Sequence, residues 1–231
     1  AARVISDPYD RAWALRETAQ VSGVDASQAR QLLGEAEDAA GQIEDAEPRE
    51  YALSDIAVAG ARLDLDQAMA VAGRIGEFDP LARVAALIGI AEARIATSDT
   101  DGARNVLEDA LAENENVLDV YERARAMNVI ATEMAAVDFE RAVDLAREIE
   151  DPYLRAEALR FLAVAAADGM PDEALSLAEE IEPLSIRVGA LVAVGEKLAE
   201  VDEEKAVEVF TKALSEAGEL KDTYPLRLLA S

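Results

Sequence analysis

The sequence contains no histidine and no cysteine. Imidazole acid–base chemistry, thiolate nucleophiles, disulfides and zinc held by Cys or His are therefore excluded within these 231 residues. No Ser–His–Asp or Cys–His constellation can be assembled. No glycine-rich phosphate loop or metal-hydrolase motif occurs either. Aromatic residues make up only 4% of the chain, so its core must be built mainly from Ala, Leu, Val and Ile. No apolar run approaches the ~20 residues of a membrane span. No signal peptide is visible, and the sequence does not open on Met.

What is present is 51% hydrophobic, enough to bury a core and to argue against global disorder. Acidic residues outnumber basic ones 48 to 22, a formal net charge of −26. Such a field repels phosphate backbones and anionic lipid surfaces, and no basic stripe offsets it. Neither nucleic acid nor membrane is expected as a partner. The basic residues are eighteen Arg and four Lys, with every Lys between Lys197 and Lys221. Strong acidity with scarce Lys resembles the surface of a protein from a salt-accumulating, haloarchaeal organism. Molar salt shrinks the screening length to about 3 Å, which makes self-repulsion tolerable. A cytoplasmic location follows weakly from that resemblance.

A phrase recurs along the chain. Its clearest copies are Asp7-Pro8-Tyr9-Asp10-Arg11-Ala12-Trp13-Ala14-Leu15 and Asp151-Pro152-Tyr153-Leu154-Arg155-Ala156-Glu157-Ala158-Leu159. Degenerate copies carry Arg49 with Leu53, Arg83 with Leu87, Arg123 with Met127, and Arg187 with Leu191. The landmark positions 15, 53, 87, 127, 159 and 191 lie 38, 34, 40, 32 and 32 residues apart. That period suits a helix pair, and tandem pairs build a solenoid. The expected fold is all-α: a right-handed superhelix of antiparallel helix pairs, six repeats forming one domain over residues 1–231. The predicted pairs are 8–21 with 26–43, 48–61 with 65–75, 80–96 with 102–112, 118–134 with 139–149, 152–167 with 171–181, and 184–198 with 203–217. Asp7, Asp79 and Asp151 each precede a Pro able to occupy the first helical position, and Asp138 and Asp202 are further cap candidates. Ala156, Leu159, Leu162, Ala163 and Ala166 form a helical stripe. Recurrent alanines at 29, 68, 103, 142, 174 and 206 mark where paired helices approach closely. Residues 1–5 read as the end of a preceding helix. Residues 224–230 read as the start of a seventh pair, so the chain is expected to be part of a longer array.

These units resemble the tetratricopeptide-repeat-like superfamily. The resemblance rests on Phe139-Glu140-Arg141-Ala142-Val143-Asp144-Leu145-Ala146, Pro171-Asp172-Glu173-Ala174-Leu175-Ser176-Leu177-Ala178 and Glu203-Glu204-Lys205-Ala206-Val207-Glu208-Val209-Phe210. Ala142, Ala174 and Ala206 match the family's second-helix alanine, and Phe210 its following large apolar residue. The resemblance covers nearly the whole chain, but it is degenerate. The first-helix Gly and Tyr of the family are largely missing, with Leu162 and Ala165 in that region of the fifth repeat. The resemblance implies a scaffold for protein–protein contacts.

The recurring Arg11, Arg49, Arg83, Arg123, Arg155 and Arg187 sit four residues before each landmark, on nearly the same helical face. They read either as a ladder meeting acidic or phosphorylated partners, or as structural residues covering apolar stripes and pairing with the preceding acidic turn. The structural reading is favoured, with Glu150, Asp151 and Glu182 as the expected acidic neighbours. Tyr9, Tyr121 and Tyr153 lie six residues before a landmark, and Trp13 and Tyr51 lie two before; such side chains give contact area with few rotatable bonds. The candidate protein-interaction residues are therefore Tyr9, Arg11, Trp13, Tyr51, Arg83, Tyr121, Arg123, Tyr153, Arg155 and Arg187. In residues 97–108, Asp99, Asp101, Gly102 and Glu108 fall at calcium-loop spacing. Thr97 replaces the first acidic ligand and Arg104 an apolar position, so a turn and capped helix are expected instead. No catalytic, cofactor or metal residue is assigned. The expected function is a non-enzymatic interaction scaffold for an unidentified protein or peptide. The alternatives are an assembly module that self-associates through its ends, and a carboxylate-dependent hydrolase.

Overall fold

The structure is a computed structural model and describes residues 2–76 and 78–219. Residues 224–230, expected to begin a seventh pair, lie outside the described residues. The described residues contain twelve α-helices and no strand. In order they are α1 (Pro8–Ala19), α2 (Ala26–Ala40), α3 (Ala46–Ala61), α4 (Leu65–Ala72), α5 (Pro80–Ala96) and α6 (Thr100–Asn114). There follow α7 (Val120–Met134), α8 (Phe139–Glu148), α9 (Pro152–Ala166), α10 (Pro171–Glu179), α11 (Leu184–Leu198) and α12 (Glu203–Ala217). A short 3-10 turn, Ala2–Val4, stands where the end of a preceding helix was expected.

The caps explain where the helices begin. Asp7 accepts the backbone N–H of Asp10, Asp79 those of Leu81 and Ala82, and Asp151 those of Tyr153 and Leu154. Asp138 and Asp202 do the same for Arg141 and Lys205. Each bond satisfies a donor that the helix itself leaves orphaned. Proline at the first turn of α1, α5 and α9 removes another such donor. Between α1 and α2 the chain turns at Gly23, whose φ of +99° is open to glycine at no steric cost.

The second helices α2, α4, α8 and α10 end earlier than the apolar pattern predicts, whereas α6 runs beyond the expected 102–112 at both ends. Ile43, Ile75, Ile149 and Ile181 are buried, yet each lies one to three residues beyond its helix. The apolar stripe continues into the turn while the helical backbone stops, so periodicity alone overshoots. Leu118, expected at the start of α7, likewise lies in the turn before it.

The chain divides into two compact units, Ala1–Ala126 and Met127–Ser231. In the first, α1 packs on α2, α3 on α4 and α5 on α6, while α1 also meets α3, and α3 meets α5. In the second, α9 packs on α10 and α11 on α12, while α9 also meets α11. Contacts between sequence neighbours, together with first-helix contacts α1–α3, α3–α5 and α9–α11, are the pattern of a helical repeat. Of the six landmarks, Leu15, Leu53, Leu87, Leu159 and Leu191 are buried and Met127 is half-buried. A fully buried Leu contributes about 1.5–3 kcal/mol. All six recurrent alanines, Ala29, Ala68, Ala103, Ala142, Ala174 and Ala206, are buried. The absent side chain beyond Cβ lets paired helices approach, and Ala carries the best helix propensity as well.

Candidate interaction surfaces

The repeating arginines have a shared geometry. Arg11, Arg49, Arg123 and Arg155 each donate from Nη1 to the carbonyl six residues earlier: Ile5 (3.2 Å), Ile43 (3.1 Å), Val117 (3.2 Å) and Ile149 (3.1 Å). Arg187 reaches the Glu179 carbonyl at 3.3 Å. The carbonyls of Ile43, Val117, Ile149 and Glu179 lie at the end of the preceding pair and that of Ile5 lies just before α1, where no helix uses them. Several of the same guanidiniums also reach the end of their own second helix. Arg11 bonds Gln42 (2.6 Å), Arg83 meets Glu113 (3.4 Å) and Arg187 bonds Glu216 (2.8 Å). The acceptors thus differ from the expected ones. Arg155 bonds the Ile149 carbonyl in the turn that holds Glu150 and Asp151, and the carboxylate paired with Arg187 is Glu216 instead of Glu182.

The aromatic candidates are all on the surface. Tyr9, Trp13, Tyr51, Tyr121 and Tyr153 are between 44% and 66% exposed. Tyr9 and Trp13 stand one turn apart on α1. With Ala12, Arg16, Ala52, Asp55 and Ile56 they line a shallow depression between α1 and α3. Arg16 crosses it, 2.9 Å from Glu17 and 3.5 Å from Asp55. Tyr51 lies on α3, and its hydroxyl donates to Asp79. That bond, then burial, then the negative charges of Asp79, Glu47 and Glu122, raise the phenol above its ordinary range. In the second unit Tyr153 opens α9, and Phe161, which sequence reasoning passed over, is 48% exposed on the same helix.

The structure also shows a feature that periodicity did not reveal. Within the first unit, a cleft of about 630 Å³ opens between the α4–α5 and α6–α7 turns. Phe78, Leu81, Leu118, Asp79, Glu113 and Glu122 are among its walls. Glu50 is buried on α3 beneath this edge and accepts the Asp79 backbone N–H at 2.7 Å, fixing the α4–α5 turn. Asn114 is buried at the end of α6 and donates to the Arg123 carbonyl at 3.0 Å, tying α6 to α7. The available signal in the sequence was Phe78 itself, a large aromatic between Gly76 and Asp79-Pro80, off every helical stripe.

The segment 97–108 is a turn followed by α6. Ser98 takes a left-handed φ of 61° and Asp99 caps the helix by accepting from Gly102. Asp99 also holds Arg94, and that hydrogen bond first, then the Gly102 N–H, keep its carboxyl below the usual Asp range. Among the described residues no helix is long and apolar enough to cross a membrane. Comparison with protein-family models gives no match, and comparison with curated proteins gives none either.

Proposed function

We propose that the chain is a protein-interaction scaffold of the tetratricopeptide-repeat-like type, without catalysis of its own. The observation that carries this reading is the set of half-exposed aromatics on first helices, above all Tyr9 and Trp13 beside the α1–α3 depression. Aromatic side chains left in water at that density favour burial by a partner and lose little rotamer freedom on binding. The arginines support the reading indirectly. Because most of them are engaged in tying their repeat to the preceding turn, the aromatics rather than the arginines are the contact residues. The acidic, lysine-poor surface supports a haloarchaeal, cytoplasmic setting.

The test is capture from haloarchaeal lysate in molar potassium chloride, with the wild-type chain and a Tyr9→Ala/Trp13→Ala variant immobilised side by side. The wild type should enrich a defined protein that the variant loses, while both melt at the same temperature. Equal capture by the two, or none by either, would reject the α1–α3 surface as the binding site.

A second reading, self-association, has one specific observation behind it. In the second unit Val143 of α8 is buried, whereas Val207, at the matching place in α12, is 60% exposed. Leu214, seven residues further along the same helix, is exposed too. An apolar stripe of this kind suits another copy of the chain. Light scattering of Val207→Ser/Leu214→Ser against wild type checks it: a shift from dimer to monomer supports the reading, and a monomeric wild type ends it.

A further inference from the structure

The cleft between the α4–α5 and α6–α7 turns differs from the α1–α3 depression in both shape and charge. Four of its eleven lining residues are carboxylates (Asp79, Glu113, Asp119 and Glu122), against 48 acidic residues in 231 overall. Its single cation, Arg83, is already paired with Glu113. The negative field reaches beyond the walls, since the charges of Asp79 and Glu122 act on the neighbouring Tyr51 hydroxyl. Two large apolar side chains stand on opposite turns at its mouth. Phe78 is 65% exposed and Leu118 is 93% exposed, in a chain that otherwise puts its leucine landmarks inside. The volume of about 630 Å³ falls in the range of side-chain and small-ligand sites.

Charge and apolar exposure together restrict the occupant. Nucleic acid and anionic lipid are repelled by the carboxylates. A free metal ion would leave Phe78 and Leu118 in water. The described residues also hold no group of three acidic side chains placed to share one ion. A cation delivered on a chain that also carries apolar side chains satisfies both features.

We propose that this cleft docks a segment of a partner protein in which arginine or lysine alternates with leucine-like residues. Phe78 and Leu118 cover the apolar side chains, and Asp79, Asp119 and Glu122 receive the cationic ones. The inference rests on the scaffold reading only in taking the partner to be a protein. It assigns a second surface, carried by turns instead of by α1 and α3.

The test uses the full chain and fluorescein-labelled peptides of equal length: alternating Leu and Arg, alternating Ser and Arg, and alternating Leu and Ser. Binding is read by anisotropy in the lowest salt at which the chain remains folded. The Leu–Arg peptide should bind about tenfold tighter than either control, a difference worth ~1.4 kcal/mol. Leu118→Ser and Phe78→Ser should each remove most of that preference, with melting unchanged because both side chains are already in solvent. Trp13→Ala should have no effect. Equal binding of the Leu–Arg and Ser–Arg peptides would reduce the attraction to non-specific charge and overturn the proposal. Full binding by Leu118→Ser and Phe78→Ser would overturn it as well. Loss of binding in Trp13→Ala alone would overturn the cleft while upholding the α1–α3 surface, so the two readings fail separately. Tighter binding of a peptide spanning residues 220–231 of this chain would replace the foreign partner by self-association.

Discussion

At the scale of single residues, the recurring arginines join consecutive repeats. Arg155 donates to the Ile149 carbonyl, one helical turn before the buried Leu159 on the same helix. Arg155→Ala leaves that carbonyl without its charge-assisted donor, so it should lower stability by roughly 0.5–2 kcal/mol. Thermal melts check this, and an unchanged melt would return Arg155 to the candidate binding residues. Asp99 gives a pH-dependent prediction. Its folded carboxyl is held below the ordinary Asp range by Arg94 and the Gly102 N–H, so the unfolded chain binds the proton more readily. The stabilisation is therefore fully present above about pH 4 and lost as pH falls through the lower folded value. Asn retains the cap but not the charge. Wild type should melt above Asp99→Asn near neutrality, and the gap should close in acid; a gap that persists in acid would contradict the assignment. The sequence showed where the arginines recur, but their acceptors were not legible. A backbone carbonyl belongs to every residue type, so no side-chain pattern announces it.

At the scale of helices, pairing depends on alanine. Ala174 is fully buried on α10, which packs against α9. Ala174→Leu adds three carbons where the two helices meet and should cost about 1–3 kcal/mol by overpacking. The same change at the exposed Ser176 should be near neutral. Chemical denaturation of the two variants separates them, and equal stability would show that Ala174 does not set the helix spacing. Element types and starts were readable because Asp-Pro caps and the 3.6-residue period act locally. The ends of α2, α4, α8 and α10 were not, because Ile43, Ile75, Ile149 and Ile181 prolong the apolar stripe into turns. The cleft was hidden for a related reason: Phe78 and Leu118 lie outside helices and come from turns of successive pairs, forty residues apart.

At the scale of the whole molecule, charge and surface decide behaviour. Exposed pairs such as Arg147–Glu180 and Lys205–Asp172 link second helices about one repeat apart, and salt weakens them. Yet the carboxylates in excess are far more numerous than these pairs, and net charge is −26. Screening their mutual repulsion should dominate, so the melting temperature should rise steeply from low to molar potassium chloride. A flat response would remove the halophilic reading. The central claim is that the exposed aromatics of α1 form a protein-binding surface. Trp13 is the only tryptophan in the chain, so its emission reports that surface without labelling. Acrylamide quenching of Trp13 should be strong in the free protein and fall sharply when the captured partner, or a tryptophan-free fragment of it, is added. Quenching that is unchanged at saturating partner would contradict the account.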